Sequence, residues 1–74
     1  MERPLRQVLG ERITMLRRRL GLTQPALARK VGIGITSLSR IEKGHQSATG
    51  ETIVALARVL ETTTDFLLGL SEAF

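Results

Sequence analysis

Ile35, Thr36, Ser39, Arg40 and Lys43 share one side of a short stretch whose other side carries Leu38 and Ile41 at an i, i+3 spacing. If that stretch is a helix with Leu38 and Ile41 turned inward, the outward groups are two hydroxyls, a guanidinium, an ammonium and one apolar side chain. Such groups donate and accept hydrogen bonds or touch a methyl group; they do not build a nucleophile or a general base. Their chemistry is recognition. The rest of the inventory agrees, because the chain has no cysteine and a single histidine, His45. Neither a metal centre nor a histidine-based catalytic site works with one isolated imidazole. The expectation is a binding protein with no cofactor, no metal and no evident small-molecule ligand, and not an enzyme. An exposed helix is also the element that fits the major groove of duplex DNA.

The elements around that stretch are those needed to present it. From Leu22 to Gly44 the sequence LTQPALARKVGIGITSLSRIEKG reads as two short helices joined by a tight turn. Thr23 is a good N-cap, since its hydroxyl can take up an unpaired backbone N–H of the first turn. Pro25 sits inside that turn, where its missing N–H costs nothing. Leu27, Ala28 and Val31 form one apolar stripe, and Gly32-Ile33-Gly34 then interrupts the pattern. The second helix is expected to begin near Ile35, with Gly44 as its C-terminal stop. Two such helices joined by a glycine-bearing turn have the helix-turn-helix signature.

Outside this unit, Leu9, Ile13, Leu16 and Leu20 recur at helical spacing between about Pro4 and Leu20, and Gly21 ends the run. Arg17, Arg18 and Arg19 crowd its last turn, where cations suit the negative end of the helix dipole. Thr49 is a plausible N-cap for a fourth helix, with Glu51 in the first turn and Ile53, Leu56, Ala57 and Leu60 as its buried stripe. Thr62, Thr63 and Thr64 interrupt, and Asp65 at the start of Phe66-Leu67-Leu68 suggests a short fifth helix ending near Gly69. No segment alternates with period two for long enough to be a strand. The expected fold is all-α, a compact bundle of four to five short helices. The expected core is Leu9, Ile13, Leu16, Leu20, Leu27, Val31, Leu38, Ile41, Ile53, Leu56, Leu60 and Phe66.

Seventy-four residues allow one domain, 1–74, with a small core. Charge is unevenly distributed: residues 1–46 hold ten Lys/Arg against Glu2, Glu11 and Glu42, whereas residues 47–74 hold Arg58 against four acidic groups. A basic front and an acidic back suit a domain that docks on a polyanion by one face, although ordinary charge scatter also occurs in small domains. No apolar run approaches the roughly 18 residues of a membrane span and no signal peptide is visible, so a cytoplasmic location without membrane association is expected.

Taken together these residues resemble the Cro/cI-type (XRE-type) helix-turn-helix domain of phage repressors and small bacterial controller proteins, the lambda-repressor-like fold. The resemblance is carried by Arg17, Gly21-Leu22-Thr23-Gln24, Leu27-Ala28, Val31-Gly32-Ile33, Leu38-Ser39-Arg40-Ile41-Glu42-Lys43-Gly44, Leu56-Ala57-Arg58-Val59-Leu60 and Phe66-Leu67-Leu68. Any one fragment is weak; the ordered series, over roughly residues 9–69, is strong. The chain departs from the pattern at Gly34, where a Ser or Thr usually caps the third helix, and at Ile35, often polar in relatives. Ala48 replaces a common proline, Gly50 a common apolar residue and Glu61 a common glycine.

The resemblance places the helix-turn-helix at about 23–43 and implies roles. Ile35, Thr36, Ser39 and Arg40 become the base readers, with Arg40 suited to a bidentate contact on guanine and Ile35 and the Thr36 methyl to a thymine methyl. For Arg40 the alternative is a phosphate contact or a solvated charge; for Ile35 it is a staple onto the core. Gln24 at the start of the second helix is expected on a backbone phosphate, where the positive end of the helix dipole helps. Ser37, Lys43, His45, Gln46, Ser47 and Thr49 are the other expected phosphate contacts, made in relatives partly through backbone N–H groups. Such contacts position without reading sequence. Arg17 and Glu42 are expected to form an ion pair between the first and third helices, which orients Arg17 toward the sugar-phosphate.

The family pairs with itself through the C-terminal end, about 59–74 here, so Val59, Glu61, Leu67, Leu70 and Phe74 are the expected homodimer interface. A monomer with a frayed tail is the alternative. The expected function is sequence-specific double-stranded DNA binding by a dimeric transcriptional regulator, in most relatives a repressor, on a palindromic operator. The protein is either a stand-alone controller or a domain of a longer repressor. An antitoxin of a toxin–antitoxin pair and a protein-binding adaptor of the same fold are the rivals.

Overall fold

A computed structural model describes residues 3–74; Met1 and Glu2, the latter counted in the charge balance above, lie outside the described residues. Five helices follow in order: α1 Leu5–Arg19, α2 Gln24–Val31, α3 Ile35–Glu42, α4 Gly50–Val59 and α5 Thr64–Leu67. No strand occurs among the described residues, and none of their helices is long and apolar enough to cross a membrane.

Each helix start has a local cause. Thr23 Oγ1 accepts from Ala26 N at 3.2 Å and Thr49 Oγ1 from Thr52 N at 3.2 Å, the N-cap bonds expected of hydroxyl residues. α5 starts one residue earlier than Asp65 suggested. Thr63 Oγ1 accepts from Phe66 N at 3.0 Å, so the threonine run that reads as an interruption contains the cap and first residue of the helix. Gly34 precedes α3 without a side-chain cap.

The ends of α1, α3, α4 and α5 share one device. Gly44 N bonds to Ile41 O and His45 N to Arg40 O, a paired closure that sets Gly44 in the left-handed region at φ +78°. The same pair of bonds closes α4, from Glu61 N to Arg58 O and Thr62 N to Ala57 O. There the left-handed position, at φ 58°, is held by Glu61, the described non-glycine residue with positive φ.

α1 packs on α3 and α5, α2 on α3 and α4, and α4 on α5. Leu9, Ile13 and Leu16 of α1 meet Leu27, Ala28, Leu38, Ile41, Leu56, Ala57, Leu60, Phe66 and Leu67 in one core. Val31 and Ile53 pack at its margin, only partly buried. Two expectations need correction. Leu20 is 40% exposed; it is the C-cap of α1, outside the last helical turn whose Leu16 is buried. Leu67 is fully buried, because α5 turns it into the core, and it cannot form part of a surface interface in this fold.

The third correction is an omission. Gly10 is buried in α1, and a Cβ built there would run into the carbonyl oxygens of Ile41 and Glu42. The missing side chain is what lets α1 and the C-terminal turn of α3 approach so closely.

Candidate nucleic-acid interface

α3 is amphipathic by construction: Leu38 and Ile41 are buried, while Ile35, Thr36 and Arg40 are exposed. Ser37 and Ser39 lie half-buried at the edges of that face. Ile35 is 51% exposed and does not belong to the hydrophobic residues packed against the core.

Behind α3 stands a half-buried polar cluster. Arg17 Nε donates to Glu42 Oε2 at 2.7 Å and its Nη2 to Oε1 at 3.1 Å, a two-pronged pair with side chains only 11% and 4% exposed. Arg17 Nη1 also donates to Leu22 O at 2.9 Å, in the segment before α2. Gln24, the first residue of α2, donates from Nε2 to Glu42 Oε1 at 2.9 Å. One carboxylate therefore ties α1, α2 and α3 together. Charge-assisted, bidentate bonds of this kind fix orientation as well as supplying energy. Arg17 is turned inward by these bonds, and Gln24 keeps one amide N–H beyond the one given to Glu42.

The loop after α3 borders the same face. Lys43, His45, Ser47 and Thr49 are exposed and Gln46 is half-buried. The backbone N–H groups of Gln46, Ser47 and Thr49 donate to no acceptor among the described residues. The Thr49 hydroxyl is already engaged, since it accepts from Thr52 N and donates to Thr52 Oγ1 at 3.1 Å. Any anion contact at Thr49 is thus made through its main chain.

Two bonds at this loop were not among the expected contacts, and one of them comes from Arg6, a residue outside the expected site. Arg6 Nε donates to Gly44 O at 2.9 Å, tying the start of α1 to the turn. Arg40 Nε donates to Gln46 Oε1 at 3.1 Å, joining the outer face of α3 to the loop. Neither Arg6 nor Arg40 carries a mark of its partner in sequence; both bonds exist only because the turn folds back.

At the opposite end of the molecule, Val59 is half-buried and Glu61, Leu70 and Phe74 are exposed, Leu70 by 75%. Leu20, Leu22 and Val59 line a shallow groove rimmed by Lys30 and Glu61. The tail is anchored rather than frayed. Arg12 Nη1 donates at 2.8 Å to both Phe66 O and Ser71 O, and its Nη2 meets Glu72 Oε1 at 3.0 Å. Phe74 then packs on Phe66 with ring centroids 5.1 Å apart, and the Arg19 guanidinium lies 4.6 Å from the Phe74 centroid. Among the described residues there is no cluster of His, Cys, Asp or Glu arranged to hold a metal ion.

A family model described as helix-turn-helix matches residues 13–67. The chain is 36% identical over 62 residues to repressor protein C2 of Salmonella phage P22, covering 84% of this chain and 29% of the relative. It is 34% identical over 64 residues to the transcriptional regulator ImmR of Bacillus subtilis, covering 86% and 50%. The chain thus spans half or less of the length of these curated relatives. The crystal structure of the P22 c2 repressor in complex with synthetic operator 9T superposes with a TM-score of 0.81 at 33% identity, over 85% of this chain and 96% of that one.

Proposed function

The chain belongs to the XRE-type helix-turn-helix family of DNA-binding transcription regulators, not to a family of enzymes, and on that premise we propose that it binds a palindromic operator as a homodimer and represses transcription there. Ile35, Thr36, Ser39 and Arg40 enter the major groove and read base edges. Gln24, Ser37, Lys43, His45, Gln46, Ser47 and Thr49 hold the phosphates on either side, and Arg17 braces this set from behind. The observation that carries the reading is the bare face of α3 set beside unpaired loop N–H groups and held from behind by the Arg17–Glu42–Gln24 cluster. A rigid helix with a polar outer face and flanking anion-binding amides is the arrangement a duplex needs.

The second half of the reading is dimerisation through Val59, Glu61, Leu70 and Phe74, with the apolar groove of Leu20 and Leu22 beside them. A two-fold pair would present two copies of α3 about 34 Å apart, on successive major-groove faces. One copy of so short a helix makes few base contacts, so pairing is what would raise affinity above the non-specific range.

Selection of bound sequences from a random duplex pool, followed by titration at several salt concentrations, tests the whole proposal. The expected result is a two-fold symmetric sequence, with affinity that falls with salt by a slope of about 0.9 per phosphate contacted. Recovery of no sequence preference, or no binding at low salt, would refute it. Sedimentation of the complex on the selected duplex distinguishes two protein chains from one.

A further inference from the structure

The bond from Arg40 to Gln46 has a consequence for specificity. A guanidinium presents its donors on two edges: a side edge that includes Nε, and an end formed by the two terminal nitrogens. Gln46 Oε1 accepts from Nε at 3.1 Å, so one side of the Arg40 group is held and the terminal pair is left outward. Guanine offers O6 and N7 in the major groove, and an arginine reads both at once only when its fork is aligned with that edge.

Gln46 is well placed to impose that alignment because its own backbone is fixed. The turn before it is closed by Gly44 N to Ile41 O and His45 N to Arg40 O, at 3.1 and 2.9 Å. Gly44 lies against α1, where a Cβ would stand 3.3 Å from the Gln7 Cα, and Arg6 Nε holds Gly44 O. Beyond it, Ala48 packs on the core. Gln46 is half-buried between these anchors, whereas Arg40 is exposed and would otherwise sample many rotamers.

We propose that Gln46 is a specificity-determining positioning residue: its carbonyl oxygen orients Arg40 so that the terminal fork reads guanine, while its amide N–H group remains available to a phosphate. The inference rests on the reading of Arg40 as a base reader. It separates two functions of one amide. The acceptor sets discrimination, and the donor adds affinity that does not depend on sequence.

The test uses the full chain, its selected duplex, and the same duplex with the guanine read by Arg40 replaced by adenine. Arg40→Ala is measured first; it should collapse the guanine preference, and unchanged preference would mean that Arg40 does not read a base, which overturns this inference with it. Given a collapse, Gln46→Ala should reduce the guanine-to-adenine affinity ratio by about fivefold to tenfold. Preference at positions not read by Arg40 should be unaltered. Gln46→Glu, which keeps the acceptor and removes the donor, should restore the ratio while lowering affinity for every duplex. The double variant Arg40→Ala/Gln46→Ala should discriminate no worse than Arg40→Ala alone. If Gln46→Ala weakens all duplexes equally and leaves the ratio intact, or Gln46→Glu fails to restore a lost ratio, the positioning role is wrong and the base-reading role of Arg40 stands. Thermal unfolding of each variant confirms that the fold is retained.

Discussion

Arg17 and Glu42 face each other across the junction of α1 and α3 with Nε and Oε2 2.7 Å apart, nearly out of reach of solvent. The pair sits directly behind the exposed helix, and Gln24 joins it through the second carboxylate oxygen. Stability and binding geometry are therefore set by the same three side chains.

Removing one member leaves the other without its opposite charge, Glu42 keeping only the Gln24 amide and Arg17 only the Leu22 carbonyl. Arg17→Ala or Glu42→Ala should each destabilise the domain by about 3 kcal/mol, the usual cost of breaking a buried pair on one side. Native domains of this length hold only about 4–11 kcal/mol in total, so either variant should be close to unfolding at raised temperature. The double variant Arg17→Met/Glu42→Leu should be clearly more stable than either single change, because no charge is then stranded. Urea unfolding of the three proteins checks this.

Gly10→Ala tests the close approach of α1 to α3. The added methyl meets the Ile41 and Glu42 carbonyls, which belong to backbone and cannot swing aside. A loss of about 1–3 kcal/mol is expected, although alanine is the better helix former. A rise in melting temperature would show that the helices can move apart freely.

Glu61→Gly should act in the other direction. Glu61 holds a left-handed conformation at the end of α4, in the position that glycine fills at Gly44. Relief of that strain, less the extra freedom glycine has when unfolded, should raise stability by about 1 kcal/mol. For a domain of this size that is a rise of about 4–8 °C in Tm, read by calorimetry at fixed protein concentration.

Gln24→Ala and Arg40→Ala should weaken binding in different ways. Loss of a phosphate contact lowers affinity for all duplexes alike, and since the Gln24 amide is uncharged the salt slope should stay unchanged. Loss of a base contact flattens preference at one position. Competition binding with specific and unrelated duplexes separates the two patterns.

Much of this was legible in the sequence, because the strongest signals are periodic or chemical. Leu9, Ile13 and Leu16 recur at helical spacing and are buried; Thr23 and Thr49 are good caps and accept the bonds expected of them. What periodicity misses is where an element stops. Leu20 continues the stripe of α1 in sequence but lies after the last residue of the helix, and Leu67 belongs to a helix too short to show a period. Thr63 hides a cap inside a β-branched run. Gly10 carried a usable signal, since a glycine inside an otherwise good helix often marks close backbone approach. The Arg40–Gln46 and Arg6–Gly44 bonds carried none, for they depend on how one turn folds back on α1 and α3.

We infer that the outer face of α3 and the loop after it form the surface that meets DNA. Amide chemical-shift mapping of the uniformly nitrogen-15-labelled protein, titrated with its selected duplex, tests this most directly. Perturbations should concentrate at Thr36, Ser39, Arg40, Gln46 and Ser47, with a second, protein-pairing set at Val59, Glu61 and Leu70 that persists at high protein concentration without DNA. An α3 left unperturbed while another surface responds to the duplex would contradict the account.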